Sequence, residues 1–232
     1  MRVLVTRPEP GAAQTAARLE ALGHEPVVAP LSQVAPAAVA ALPDAANFGA
    51  IALTSANALK YAAPRLLSAI SQLACFTVGD RTADAAREAG FADVRSAGGD
   101  VNDLAALVRA ELKAGSHMLY LTGERRRPVL EEKLMDAGFS VTPLETYRIE
   151  AVSYDAAERE KLIGGPALDA VLVYSRYGAE LLSDFLGDGQ NLRVLCMSRQ
   201  VAEGLSHSLR KSAEIASAPN ENALLALLGR AP

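Results

Sequence analysis

LYLTGERRRPVLEEKLMDAGFSVTPLETYR, residues 119–148, holds the pattern that decides the fold. An apolar run ends at Thr122-Gly123, and a helical period follows over 127–137. A second apolar stretch begins at 140. Strand, short turn, helix, strand is the unit that joins parallel neighbours. The same alternation fills the chain. Strands are predicted at 2–6, 25–29, 49–54, 74–78, 117–122, 140–143, 170–174 and 193–197, with weaker ones at 93–95 and 213–216. Helices are predicted at 10–22, 57–69, 82–89, 101–113, 127–137, 155–163, 177–186, 200–211 and 221–229. Such a succession makes an α/β protein, with parallel sheets flanked by helices. Within it Arg125, Arg126 and Arg127 look out of place, because a helix N-terminus carries partial positive charge.

Composition narrows the function. The 232 residues are half hydrophobic, enough for one large domain or two small ones. A net charge of -4, 5% aromatic residues and no Trp give neither a basic field nor a base-stacking surface, so no nucleic-acid partner is expected. Cys75 and Cys196 lie in apolar runs and read as buried thiols. MRVLVTRPEP turns polar too early for a secretory leader, and no apolar run approaches the roughly 18 residues of a spanning helix. A soluble, cytoplasmic protein without a membrane partner is expected. No P-loop and no G-x-S-x-G elbow occur, and the glycines of 187–192 do not form a dinucleotide fingerprint. His24, His117 and His207 are isolated, so no metal is expected.

The chain repeats itself at about half its length. RVLVTRPEP is matched by MLYLTGERR, LEALGHEPVVAPL by KLMDAGFSVTPL, and IALTSANAL by VLVYSRYGA. FTVGDRTADAA is matched by CMSRQVAEGL, and GGDVNDLAAL by SAPNENALLAL. Five segments in one order imply two α/β units on one plan. Residues 29–43 and 145–158 read as connectors. A single linker would make the units sequential. Two would insert one unit in the other, with 1–33 and 153–232 forming the first domain and 37–147 the second. The pattern alone is compatible with both.

In parallel α/β sheets, ligands bind beyond the carboxyl ends of the strands. There the chain places Thr6-Arg7, Thr54-Ser55-Ala56-Asn57, Gly79-Asp80-Arg81-Thr82, Thr122-Gly123-Glu124-Arg125, Tyr174-Ser175-Arg176 and Ser198-Arg199. Ser, Thr or Gly stands at every turn, and five of the six carry an arginine. One such turn is ordinary capping chemistry. Six of them, each opening a helix with free N–H groups, suit a ligand rich in carboxylates or phosphates. Candidate binding residues are Arg7, Thr54, Ser55, Asn57, Arg81, Thr82, Thr122, Gly123, Arg125, Ser175, Arg176 and Ser198. Among the three clustered arginines, Arg125 is expected to face the ligand.

VLVTRPEPG, LTSANAL, TVGDRTADAAREAGF, the 119–148 block, VLVYSRYGA and PNENALLALL, in this order, resemble the uroporphyrinogen-III synthase family almost from end to end. The resemblance implies two similar flavodoxin-like domains joined by a two-stranded connector near 34–36 and 148–152, one inserted in the other, with the site in the cleft between them. It implies hydroxymethylbilane as substrate, a linear tetrapyrrole with eight carboxylates, no cofactor, and cyclisation with inversion of the last pyrrole. It assigns the acid role to Tyr147 and cleft contacts to Ser55 and Thr82. The second half departs from the family's Gly-x-x-Thr turn: 198–201 read Ser-Arg-Gln-Val, so Val201 replaces the threonine and Ser198 is the nearest hydroxyl. Arg176 and Tyr177 stand where small residues are common. Absence of a hydrophobic repeat for self-association makes a monomer the expectation. Rival readings are a non-catalytic sensor of an anionic metabolite and a transferase using a diffusible nucleotide; the latter lacks a glycine-rich fingerprint.

Overall fold

The computed structural model describes residues 1–39, 41–126, 128–187 and 191–229. The chain divides into two compact units, Met1–Gln33 with Glu150–Pro232, and Val34–Ile149. The strands are β1 Arg2–Val5, β2 Glu25–Val28, β3 Ser32–Pro36, β4 Ala50–Leu53, β5 Ala74–Thr77, β6 Val94–Ser96, β7 His117–Gly123, β8 Ser140–Ala151, β9 Ala170–Val173, β10 Arg193–Cys196 and β11 Ala213–Ile215. The helices are α1 Gly11–Ala21, α2 Asn57–Lys60, α3 Pro64–Ile70, α4 Asp80–Glu88, α5 Val101–Glu111, α6 Val129–Asp136, α7 Ala156–Ile163, α8 Arg176–Leu186, α9 Arg199–Ala202, α10 His207–Lys211 and α11 Glu221–Leu225.

The first unit is a parallel sheet in the order β11-β10-β9-β1-β2. Counted within the unit and read from β2, this is 2-1-3-4-5, the flavodoxin order. The second sheet runs β3-β8-β7-β4-β5-β6. Without β3 it matches the first strand for strand, with β8, β7, β4, β5 and β6 in the places of β2, β1, β9, β10 and β11. The two units therefore share one plan, circularly permuted: the second starts at β4, the counterpart of β9. β3 is an extra strand beside the far half of β8. Ala37 N donates to Thr146 O and Val152 N to Leu31 O, both at 2.9 Å, so β3 and β8 run antiparallel where the chain passes from one unit to the other.

The strands are short and apolar because both faces are covered. In the first unit, one face packs Leu4, Val171, Val173 and Val194 with α8 and α9, and the other packs Val3, Val5 and Leu172 with α1 and α11. In the second unit, Ile51, Leu53, Leu119 and Leu121 face α2 and α3, while Ala50, Ala52, Phe76, Met118 and Tyr120 face α5 and α6. Ala52 is flanked in register by Phe76 on one side and Tyr120 on the other, so small and large side chains alternate across the layer. Both cysteines are buried free thiols, pushed up to about 12 by burial.

The structure corrects several expected boundaries. The helix predicted at 57–69 is two, because Ala63 before Pro64 takes an extended backbone and Pro64 starts the next helix. The helix predicted at 200–211 is also two; Ser206 is extended ahead of α10. The strand predicted to end at 143 runs on to Ala151 through Pro143. Pro143 pairs with Tyr120 on one side only, and β3 lies farther along, so its missing N–H breaks no ladder bond.

The repeat is also one residue out of step with the sequence match at β1 and β7. The match aligns Thr6 with Thr122. The ladders instead make Leu4 the counterpart of Leu119, since Leu4 pairs with Val171 and Leu119 with Ile51. A one-residue slip moves every side chain to the other face of a strand, and only the ladder register packs Leu4 and Leu119 on equivalent faces. Replacing Phe76 by Ala is expected to cost about 3–5 kcal/mol, measured by chemical denaturation.

Candidate functional site

In each sheet the chain reverses its direction of winding between two central strands: β1 and β9 in the first unit, β7 and β4 in the second. Such a switch point opens a crevice at the strands' carboxyl ends. In the second unit this point brings together Thr54, Ser55, Thr122, Gly123 and Tyr147. The register of β7 against β8 shifts between Thr122 and Gly123, which puts Gly123 opposite Tyr147. The shift carries the Tyr147 ring across Gly123: a Cβ there would lie 2.5 Å from ring atoms Cε2 and Cζ and 2.9 Å from the hydroxyl. Tyr61 flanks the same ring with centroids 6.4 Å apart.

Hydrogen bonds hold the backbone beneath that ring. Glu124 N donates to Tyr147 O at 3.0 Å. The fully buried Thr146 donates its hydroxyl to Ala58 O at 2.7 Å. Burial pushes the Tyr147 pKa up, the neighbouring Ser55 hydroxyl works against that rise, and nearby Tyr120 adds to it. Tyr147 is therefore a neutral, half-buried O–H donor at neutral pH. Ser55 accepts from Asn57 N at 3.2 Å, which shapes the turn into α2.

On the other face of the same strands, a pocket of about 400 Å³ is lined by Thr54, Asp100, Val101, Tyr120, Arg126, Val129 and Leu130. Thr54 Oγ1 and the Tyr120 hydroxyl share a 2.8 Å hydrogen bond. Arg126 enters here, bonded to Glu131 at 2.7 Å and Glu145 at 3.0 Å. The helix predicted from 127 starts at Val129, with Glu131 and Glu132 in its first turn. Acidic residues thus do meet the helix dipole, and Arg126 offsets their charge. Arg125, expected to face the ligand, is exposed, and Arg127 lies outside the described residues.

The corresponding place in the first unit is filled. Asn220 caps α11 as Asp100 caps α5, so Glu221 takes the position of Val101. Its carboxylate accepts from the Thr15 hydroxyl at 2.5 Å and the Tyr174 hydroxyl at 2.9 Å. It also pairs with Arg18 at 2.7 Å and Arg7 at 3.3 Å. The Arg7 guanidinium lies 4.3 Å from the centre of the Tyr174 ring. Burial alone would raise the Glu221 pKa, but bonds from Thr15, Tyr174 and Arg18 and the charge of Arg7 hold it below the usual carboxylate range. Burial pushes Tyr174 up to about 12. Arg7, expected from sequence to meet a ligand, thus has its own internal carboxylate.

The other candidates are distributed along the two strand ends. Ser175 caps α8 by accepting from Gly178 N at 3.0 Å, and Ser198 caps α9 by accepting from Val201 N at 3.3 Å. Arg176 pairs with Glu180 at 3.3 Å along its helix. Thr82 is buried at the start of α4, and Arg81 beside it is exposed. Thr122 is buried, with its hydroxyl 3.4 Å from Gly123 O. Sequence reasoning did not single out Glu221, Tyr120 or Thr146, and among the clustered arginines it chose Arg125 over Arg126. The acid in PNENALL is a signal that could have found Glu221, since it stands at the first position of a capped helix.

Comparison with known proteins bears on the family and the fold. Residues 13–226 match the family model described as Uroporphyrinogen-III synthase HemD. The chain is 28% identical over 168 residues to a uroporphyrinogen-III synthase of Saccharomyces cerevisiae; the match covers 65% of the chain and 61% of that relative. A crystal structure of uroporphyrinogen-III synthetase from Helicobacter pylori superposes with a TM-score of 0.68 at 16% identity, over 98% of both chains. A mutant uroporphyrinogen III synthase from Thermus thermophilus superposes at 0.54 and 17% identity, over 99% of this chain and 96% of that one.

Glu221→Gln is expected to lower stability by about 1.5–3 kcal/mol at neutral pH, the worth of hydrogen bonds to a charged group. Because the native pKa of Glu221 is depressed, its contribution is complete above the unfolded carboxylate range. It is lost as pH falls through the native value. Urea denaturation across pH is therefore expected to show the gap between the two proteins closing in acid.

Proposed function

The chain belongs to the uroporphyrinogen-III synthase family, and from that premise we propose that it converts hydroxymethylbilane to uroporphyrinogen III. The step breaks the bond between the terminal methylene and its hydroxyl, which leaves as water once protonated. The methylene carbon bonds to the substituted carbon of the last pyrrole. The bond from that carbon to the preceding methylene bridge then breaks, and the bridge rebonds to the ring's free α-carbon, which loses its proton. The ring is thereby inverted as the macrocycle closes. One observation carries the reading most directly: the half-buried, neutral phenol of Tyr147 lies against Gly123 at the carboxyl end of β7.

Tyr147 donates its hydroxyl hydrogen bond to the departing oxygen and orients it. The electron-rich pyrrole drives the elimination, so the phenol supplies part of the rate and not the product choice. Product choice comes from holding the chain folded, which is catalysis by positioning. The substrate's carboxylates are held by backbone N–H groups and hydroxyls at the strand-end turns: Thr54, Ser55, Asn57, Arg81, Thr82, Thr122 and Arg125 in one unit, and Ser175, Arg176 and Ser198 in the other. Charge-assisted hydrogen bonds of this kind outweigh the repulsion of a net-negative chain, which salt screens beyond about 8 Å. Arg7 acts through Glu221 and Tyr174. At the turn where Val201 replaces the family threonine, Ser198 supplies the hydroxyl; its oxygen caps α9 and its hydrogen remains available to an anion. The domain division is proposed to place Ser32–Pro36 and the far half of β8 as the connector. The working form is proposed as a cytoplasmic monomer. Large exposed hydrophobics among the described residues are few, Met1, Leu22, Leu42, Val129 and Met135, and no helix among them is long and apolar enough to cross a membrane.

With hydroxymethylbilane generated in situ and the porphyrins resolved after oxidation, the protein is expected to give the type III isomer; type I alone sinks the reading. Tyr147→Phe is expected to lower turnover and keep the type III product. The phenol pKa is raised above its ordinary value of about 10. Its acid form therefore persists to higher pH, and the alkaline fall in turnover is expected above pH 10 in the parent and to vanish in Tyr147→Phe.

A further inference from the structure

Gly123 has a role that the sequence does not suggest. A strand-end glycine after a threonine reads as a place where a ligand approaches the backbone. Its backbone does not demand glycine: the φ angle lies outside the left-handed region, unlike those of Gly138 and Gly115 nearby. What demands glycine is space, because the position of a Cβ is taken by the Tyr147 ring, 2.5 Å from two of its carbons.

The clash would fall on one end of one side chain. The Tyr147 backbone is held on both sides, by Thr146 to Ala58 O and by Glu124 N to Tyr147 O. The ring can still turn about its own side-chain bonds. A methyl at 123 therefore moves the ring and its hydroxyl while leaving the β7–β8 ladder in place. We propose that Gly123 is a positioning residue for Tyr147: its missing side chain lets the phenol lie across the end of β7. This rests on the proposed proton-donor role of Tyr147 and adds the residue that sets where that donor stands.

A double-mutant cycle tests it, with turnover of hydroxymethylbilane and isomer composition as readouts. Gly123→Ala is expected to lower kcat by about as much as Tyr147→Phe, with KM changed less than about twofold and thermal stability retained. The double variant is expected to match Tyr147→Phe alone, because a ring without its hydroxyl has no donor to misplace. With [13Cζ]-tyrosine, the resonance lost in Tyr147→Phe identifies Tyr147, and it is expected to shift in Gly123→Ala. A Gly123→Ala loss that persists undiminished in the Tyr147→Phe background, or one that appears in KM, overturns the positioning role and points to ligand contact at the backbone. Full activity in Gly123→Ala overturns it as well. Type I product from the parent protein, or unchanged turnover in Tyr147→Phe, overturns the proposed function or the phenol's role and with it this inference.

Discussion

Parallel pairing constrains everything else in this molecule. Strands that share a direction must deliver all their carboxyl ends to one edge of the sheet, and each must then turn into a helix. The edge of each sheet consequently collects turns, capping hydroxyls and free N–H groups. Thr54, Ser55, Thr122, Gly123 and Thr82 lie on one such edge, and Ser175 and Ser198 lie on the other. No long-range charge is required to gather them. The apolar interiors of the strands, Leu4, Ile51, Val171 and Leu119 among them, make the ladder stable enough to hold a polar edge.

The two units spend this shared plan differently. In the first, the space at the switch point holds a carboxylate of the chain itself. Glu221 gathers Thr15, Tyr174, Arg7 and Arg18, and the result is a closed network around a side chain 21% exposed. In the second, Val101 replaces that acid and Thr54 replaces Tyr174, leaving a pocket between α5 and α6. The phenol of the second unit lies on the opposite face, over Gly123. The net outcome is one strand edge fastened from within and another that keeps a hydroxyl donor at its rim. Circular permutation is compatible with this, since each sheet keeps the same neighbours whichever strand the chain enters first.

Much of the fold was legible in the sequence because its signals are local. β-Branched runs, glycines after helices and prolines at helix starts each act within a few residues. The matched segments likewise revealed two units on one plan. The helix breaks before Pro64 and at Ser206 were local signals passed over; the other misreadings were non-local. The match of Thr6 to Thr122 was off by one because it aligns residue types at the strand end, whereas the register is set by the neighbouring strand. Pro143 looked like a strand end, yet it sits where no second neighbour needs its N–H. In the site, Ser55, Gly123 and Tyr147 were recognisable as residues. Their mutual arrangement was not, nor was the capture of Arg7 by Glu221, more than two hundred residues along the chain.

By itself the sequence determined the alternation of elements, the polar turns at the strand ends, and a resemblance strong enough to suggest the family. These depend on residue type and spacing. The tertiary structure alone decided which strand lies beside which, which face each side chain takes, and which arginine meets a carboxylate of its own chain. It also decided that Gly123 is small for the sake of Tyr147. Each of these is a matter of distance between segments far apart in sequence, set by ladder register and packing, to which local propensity is blind.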